Sequence, residues 1–193
     1  MNLPDKTYSV IYADPPWSYR QCGTDPKSRG NAVQHYHTMT VEDICALPIQ
    51  RLAGGGCALF MWATFPTVPD ALRVMQAWGF EYKTAAFVWV KKNRKSGTPF
   101  WGMGAYTRAN AEVCLLGITP DFKAKEQIKS HAVHQIVEEP IQAHSVKPDE
   151  VRKRIVTLMG DVPQNRAFCE AAGGWMGRLG RRAAAGVTKE GGT

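Results

Sequence analysis

The apolar residues of this chain fall into two rhythms. Residues 7–13, 57–62, 80–90, 112–117 and 134–137 are short runs dense in β-branched, aromatic and other apolar side chains, and they predict strands. The run at 57–62 (Cys-Ala-Leu-Phe-Met-Trp) has no polar alternation, the pattern of a strand covered on both faces. Between these runs the spacing becomes helical. Thr40 before Val41-Glu42-Asp43 is a capping signal and predicts a helix reaching about Leu52, with Ile44 and Leu47 inward. Residues 68–78 predict a second helix, ending at Gly79. Pro148 in a first turn, followed by Val151, Ile155 and Leu158, predicts a third. Strands alternating with helices imply an α/β domain on a mostly parallel sheet.

The breaks are as informative as the runs. The first strand stops at Asp14-Pro15-Pro16, because neither proline can donate to a ladder, and an extended, fixed loop must follow. Residues 18–38 read as loop, as does 91–106, which is rich in Gly, Lys and Trp. Gly54-Gly55-Gly56 precedes a strand, so it predicts a tight helix-to-strand connection and not a phosphate loop.

Composition narrows the class. With 193 residues, 44% apolar and 21% charged, the chain suits one globular domain. No run approaches the roughly 18 to 20 apolar residues of a membrane span, and residues 1–6 lack a secretory core, so a cytoplasmic protein with no membrane partner is expected. Five scattered cysteines without C-x-x-C argue against disulfides or zinc, and the His35/His37 and His131/His134 pairs lack further ligands, so no metal is expected. The net charge of +7 suits a polyanionic partner. Residues 164–193 carry five basic and two acidic side chains, a net +3 that leaves +4 for the body. No nucleophile-elbow motif supports a Ser-His-Asp hydrolase.

Chemistry concentrates at the end of the first strand, where open α/β sheets place their sites. Asp14 offers a carboxylate, and the prolines fix the direction of the Pro15 carbonyl. Two such acceptors would grip both N–H bonds of an exocyclic adenine amine and stabilise positive charge growing on a poor nucleophile. Trp17 would give an extruded base a stacking face, although the same residues also describe a proline turn with a solvated Asp and a core Trp.

Further blocks follow in order: His35-Tyr36-His37-Thr38-Met39, Leu59-Phe60-Met61-Trp62, Phe87-Val88-Trp89-Val90-Lys91, Gly104-Ala105-Tyr106-Thr107-Arg108-Ala109-Asn110-Ala111-Glu112 and Ser145-Val146-Lys147-Pro148-Asp149-Glu150. With Asp14-Pro15-Pro16-Trp17 they resemble the MT-A-70 family of adenine-N6 methyltransferases, from about Ile11 to Pro163. The resemblance implies a Rossmann-like methyltransferase domain that uses S-adenosylmethionine on nucleic acid. DNA is expected rather than RNA, in a compact chain without added RNA-binding modules. It implies catalytic roles for Asp14, Pro15, Pro16 and Trp17. It places Tyr36, Met39, Trp62 and Glu112 near the target base, and Asp14, Ser145 and Lys147 at the cofactor. Taken alone, Tyr36, Met39 and Trp62 also read as core and Lys147 as a solvated charge. Phe100, Trp101 and the basic run Lys91, Lys92, Arg94 and Lys95 fit either a nucleic-acid groove or a solvated loop.

The tail departs from that family. Where a strand resembling E-L-F-A-R and then G-W-D-x-W-G-x-E belong, the chain has Gln164-Asn165-Arg166-Ala167-Phe168-Cys169-Glu170 and later Gly174-Trp175-Met176-Gly177. Codons can be chosen for residues 164–183 that, read one nucleotide later, spell R-I-E-L-F-A-R-R-R-A-D-G-W-D-A-W-G-D-E. The chain is therefore expected to divide into a methyltransferase domain at 1–163 and a divergent tail at 164–193, which reads either as frame-shifted or as genuinely divergent. That tail is expected to be a poor strand, to leave a sheet edge exposed and to weaken cofactor binding. The alternative function is a non-catalytic nucleic-acid-binding relative or a decayed remnant.

Overall fold

A computed structural model describes residues 5–18, 38–104, 106–142, 146–161 and 164–168. Among these, six strands form one sheet: β1 (Tyr8–Asp14), β2 (Ala53–Ala63), β3 (Glu81–Lys92), β4 (Ala111–Ile118), β5 (Ile136–Pro140) and β6 (Gln164–Phe168). Their spatial order is β5-β3-β4-β2-β1-β6. The helices are α1 (Val41–Cys45), α2 (Val68–Ala77), α3 (Ala124–Gln127) and α4 (Asp149–Met159).

The strand alternation of β2 builds two cores at once. Cys57, Leu59, Met61 and Ala63 point to one face, where they pack with Ile44, Ala71, Val74, Met75 and Trp78 on the side of α1 and α2. Ala58, Phe60 and Trp62 point to the other face, with Tyr12, Phe87, Trp89 and Cys114, under Val151, Ile155 and Met159 of α4. Those three α4 residues repeat every four positions and are all buried, so one helical stripe seals that face.

The sheet is mixed, which corrects the expectation of a mostly parallel one. β1 pairs in parallel with β2 and β6, and β3 with β5, but β4 runs antiparallel to both β2 and β3. The cause lies between β3 and β4. A parallel neighbour needs a crossover, usually helical, and the described residues between Lys92 and Ala111 include no helix, so β4 returns as the second arm of a hairpin.

Three local expectations change as well. The first helix stops at Cys45, and Pro48 restarts the chain as a 3-10 turn over Ile49–Leu52, since proline supplies no helical N–H. Thr40 does cap α1, its hydroxyl accepting from the Asp43 amide at 3.1 Å. The glycine triplet lies inside β2, where the register jumps from Tyr8↔Ala53 to Val10↔Ala58. Gly56 adopts φ 69° there and donates its amide to Asp121 at 2.8 Å, so the triplet is a strand irregularity and not a connection. Finally, β6 forms where a poor strand and an open edge were expected. Its residues pair with Val10 to Asp14 of β1, because backbone groups can complete a ladder whatever side chains they carry.

Candidate active site

Register brings the polar side chains to one place. Asp14 follows Val10 and Tyr12 in parity and so faces the α4 side at the carboxyl end of β1. Because β4 runs backwards, its first residues lie at that same end, and Glu112 stands directly across from Trp89 of β3. Lys91, two residues beyond Trp89, shares its face. Lys147 immediately precedes Pro148, the N-cap of α4. A fully parallel sheet would have carried Glu112 to the opposite end.

The four ionic groups form an alternating chain. The Lys91 ammonium lies 2.6 Å from Glu112 Oε1, Glu112 Oε2 lies 2.9 Å from the Lys147 ammonium, and that ammonium lies 3.2 Å from Asp14 Oδ2. Their side chains are only 12–20% exposed, which separates them from the exposed surface pairs elsewhere on the molecule. Burial alone would push the Glu112 carboxyl up, yet Lys147 and then Lys91 outweigh it and hold Glu112 below the usual carboxylate range.

Indoles floor the cluster. The Lys147 ammonium sits 5.6 Å from the centre of the Trp62 ring, and the Lys91 ammonium 5.2 Å from that of Trp89. The two rings meet edge to face at 6.4 Å. Trp62 donates its N–H to the Tyr12 hydroxyl at 2.7 Å, and Trp89 donates to the Glu139 carbonyl at 2.9 Å. Burial pushes the Tyr12 phenol up, and nearby Cys114 adds to this, so Tyr12 is a neutral acceptor for Trp62. Trp62 is fully buried. It supports Lys147 from beneath.

The loop after β1 is fixed as its prolines require. The Trp17 amide donates to the Pro15 carbonyl at 2.8 Å, and the Met39 amide donates to the Pro16 carbonyl at 2.9 Å. A carbonyl oxygen has two lone pairs, so the bond from Trp17 orients Pro15 without exhausting it. Trp17 itself is 3% exposed, and its indole N–H donates to the Trp62 carbonyl at 3.0 Å. Its position is that of a packing residue, in contrast to the stacking face expected of it. Half-buried Met39 packs against the same core. Tyr36 and Ser145 lie outside the described residues.

The structure thus brings together Asp14, Glu112, Lys147 and Trp62, with Pro15, Pro16, Trp17 and Met39 in the adjoining turn. Reading the sequence missed Lys91 and Trp89 as members of the cluster. The signal was their parity with Phe87, obscured because Lys91 opens a basic run. Among the described residues no helix is long and apolar enough to cross a membrane.

Fold and cluster define an α/β domain with its polar groups gathered at strand ends. The MT-A70 family model matches residues 8–169, and the chain belongs to that methyltransferase family. It is similar to the type II methyltransferase M.MunI of Mycoplasma sp, 31% identical over 160 residues. That alignment spans 76% of this chain and 65% of M.MunI, so the chain covers just under two thirds of that relative's length.

Proposed function

We propose that this chain transfers a methyl group from S-adenosylmethionine to the exocyclic amine of adenine in nucleic acid, in DNA rather than RNA. The observation that carries this reading is the Asp14 carboxylate, held by Lys147 beside an oriented Pro15 carbonyl at the carboxyl end of β1. Asp14 accepts one amine N–H and Pro15 the other. The nitrogen lone pair is thereby drawn out of conjugation, and the positive charge that develops on nitrogen as the new C–N bond forms is stabilised. Once the methyl is in place, the nitrogen sheds a proton, for which Asp14 is the adjacent acceptor.

The donor set fits the cofactor. S-adenosylmethionine carries a cationic sulfonium and an anionic carboxylate, and two mostly buried carboxylates alternate here with two lysines. When bound, it supplies an electrophilic methyl and leaves as a neutral thioether. By resemblance Asp14, Ser145 and Lys147 would hold it, with Tyr36, Met39 and Glu112 bordering the base. A base entering beside Trp17 would rest on a turn that this buried indole anchors.

The tail supports a second reading. Residues 164–193 depart from the family pattern in the way a one-nucleotide shift would produce, and a chain so altered would keep the site but hold cofactor poorly. That reading makes the chain a nucleic-acid-binding remnant with impaired catalysis. Calorimetry decides between the two. The enzyme reading expects S-adenosylmethionine to bind the chain as written about as tightly as a version with the restored tail, whereas the remnant reading expects much weaker binding.

A further inference from the structure

We propose that Lys91 is a positioning residue for Asp14, acting through Glu112 and Lys147. The family resemblance takes in Lys91 as the last residue of the Phe87-Val88-Trp89-Val90-Lys91 block but gives it no role, and by sequence it also opens a basic run. In the structure its ammonium sits 2.6 Å from Glu112 and 5.2 Å from the centre of the Trp89 ring, with its side chain 20% exposed. The rest of the run differs. Lys92 pairs with Glu138, which is 57% exposed, and Arg94 and Lys95 are exposed.

Glu112 presents one oxygen to each lysine, Oε1 to Lys91 and Oε2 to Lys147. Two cations on opposite oxygens fix the carboxylate plane, and that plane sets where Lys147 meets Asp14 Oδ2. Each ammonium is also held from below by its own indole, Lys91 by Trp89 and Lys147 by Trp62, and these indoles touch. The charges alternate and cancel. Without Lys91 the remaining three groups carry a net negative charge in a mostly buried place, and Glu112 can either swing both oxygens toward Lys147 or take up a proton. Swinging draws Lys147 off Asp14, and protonation weakens the pull of Glu112 on Lys147. Both displace the carboxylate that must meet the amine, and small displacements of a reacting group are costly.

The test uses the full chain with Lys91→Met, which keeps the stem over Trp89 and removes the charge. Carboxyl NMR titrations of wild type and variant are compared, with the Asp14 signal assigned by its loss in Asp14→Asn. The Asp14 titration is expected to move in Lys91→Met, and not to move when Lys91→Met is added to Glu112→Gln, because the path through Glu112 is already cut. This arm needs no turnover and stands whether or not the methyl-transfer reading holds. On adenine substrate, which rests on that reading, kcat is expected to fall between about tenfold and a hundredfold with KM for nucleic acid nearly unchanged. An unmoved Asp14 titration in Lys91→Met overturns the proposal, as does an equal movement in the Glu112→Gln background. A loss of thermal stability with the Asp14 titration unchanged also overturns it, since that is all a structural lysine would produce.

Discussion

Replacing Lys147 with methionine tests the ionic cluster most severely. The substitution keeps the length of the stem over Trp62 and removes a cation that Asp14 and Glu112 share. Their side chains are 14% and 12% exposed, so water cannot take over the lost interaction at little cost. Removing one partner from a buried pair costs about 3–5 kcal/mol. Glu112 keeps Lys91, which places the expected loss at the lower end, about 3 kcal/mol. For a chain of 193 residues that is a fall in melting temperature of about 6 to 12 °C. The pH dependence supplies the sign. In wild type Glu112 titrates below its ordinary range, so its contribution is complete above the unfolded value of about 4.3 and is lost as pH falls through the depressed folded one. In the variant Glu112 keeps Lys91 but loses Lys147, the larger of the two influences that hold its carboxyl down, so it binds a proton more readily than in wild type. The stability gap between the two proteins is therefore full at neutral pH and closes as pH falls through the depressed wild-type value. Thermal melts of both proteins across this range should show a gap that is wide at neutral pH and closes on acidification. A gap that is absent, or constant with pH, would refute the buried-cluster account.

Other consequences are simpler to check. Trp17→Ala should cost about 3–5 kcal/mol in urea unfolding, because it empties a core site and strands the Trp62 carbonyl; unchanged stability with weakened nucleic-acid binding would restore the ring as a stacking face. Cys57, whose thiol burial pushes up to about 12, and fully buried Cys114, pushed up by burial and then by Asp14, should resist alkylation at neutral pH until the chain unfolds, and stoichiometric native labelling of either would contradict their placement. Sequencing the gene near codon 164 should reveal a single base whose removal restores the family tail, and codons that yield no such motif would return residues 164–193 to ordinary divergence.

What was legible in the sequence depended on whether the deciding force was local. The strand at residues 7–13, the Thr40 cap and the α4 stripe all follow from neighbours within a few positions, and each appears within about a residue of expectation. Pro48 was equally local, and a proline there ends α1 before residue 48 and not at about Leu52. The direction of β4 was not local. It depends on the lack of a crossover helix among the described residues between β3 and β4, and only that reversal puts Glu112 beside Asp14 and Lys147. Lys91 was hidden for the opposite reason, since composition joined it to its charged neighbours and parity joins it to Trp89. For Trp17 the residue type was right for stacking, and burial against the Trp62 carbonyl gives it a different task.

The central claim is that Asp14 presents an adenine amine for methylation, and one labelling experiment tests it directly. The chain as written and a version with the restored tail are incubated with DNA and isotopically labelled S-adenosylmethionine, and the digested nucleosides are resolved by mass spectrometry. The account predicts label in N6-methyladenine, falling by about a hundredfold or more in Asp14→Ala while that variant remains folded. Label in methylcytosine, undiminished adenine labelling by Asp14→Ala, or no label from the version with the restored tail would contradict it.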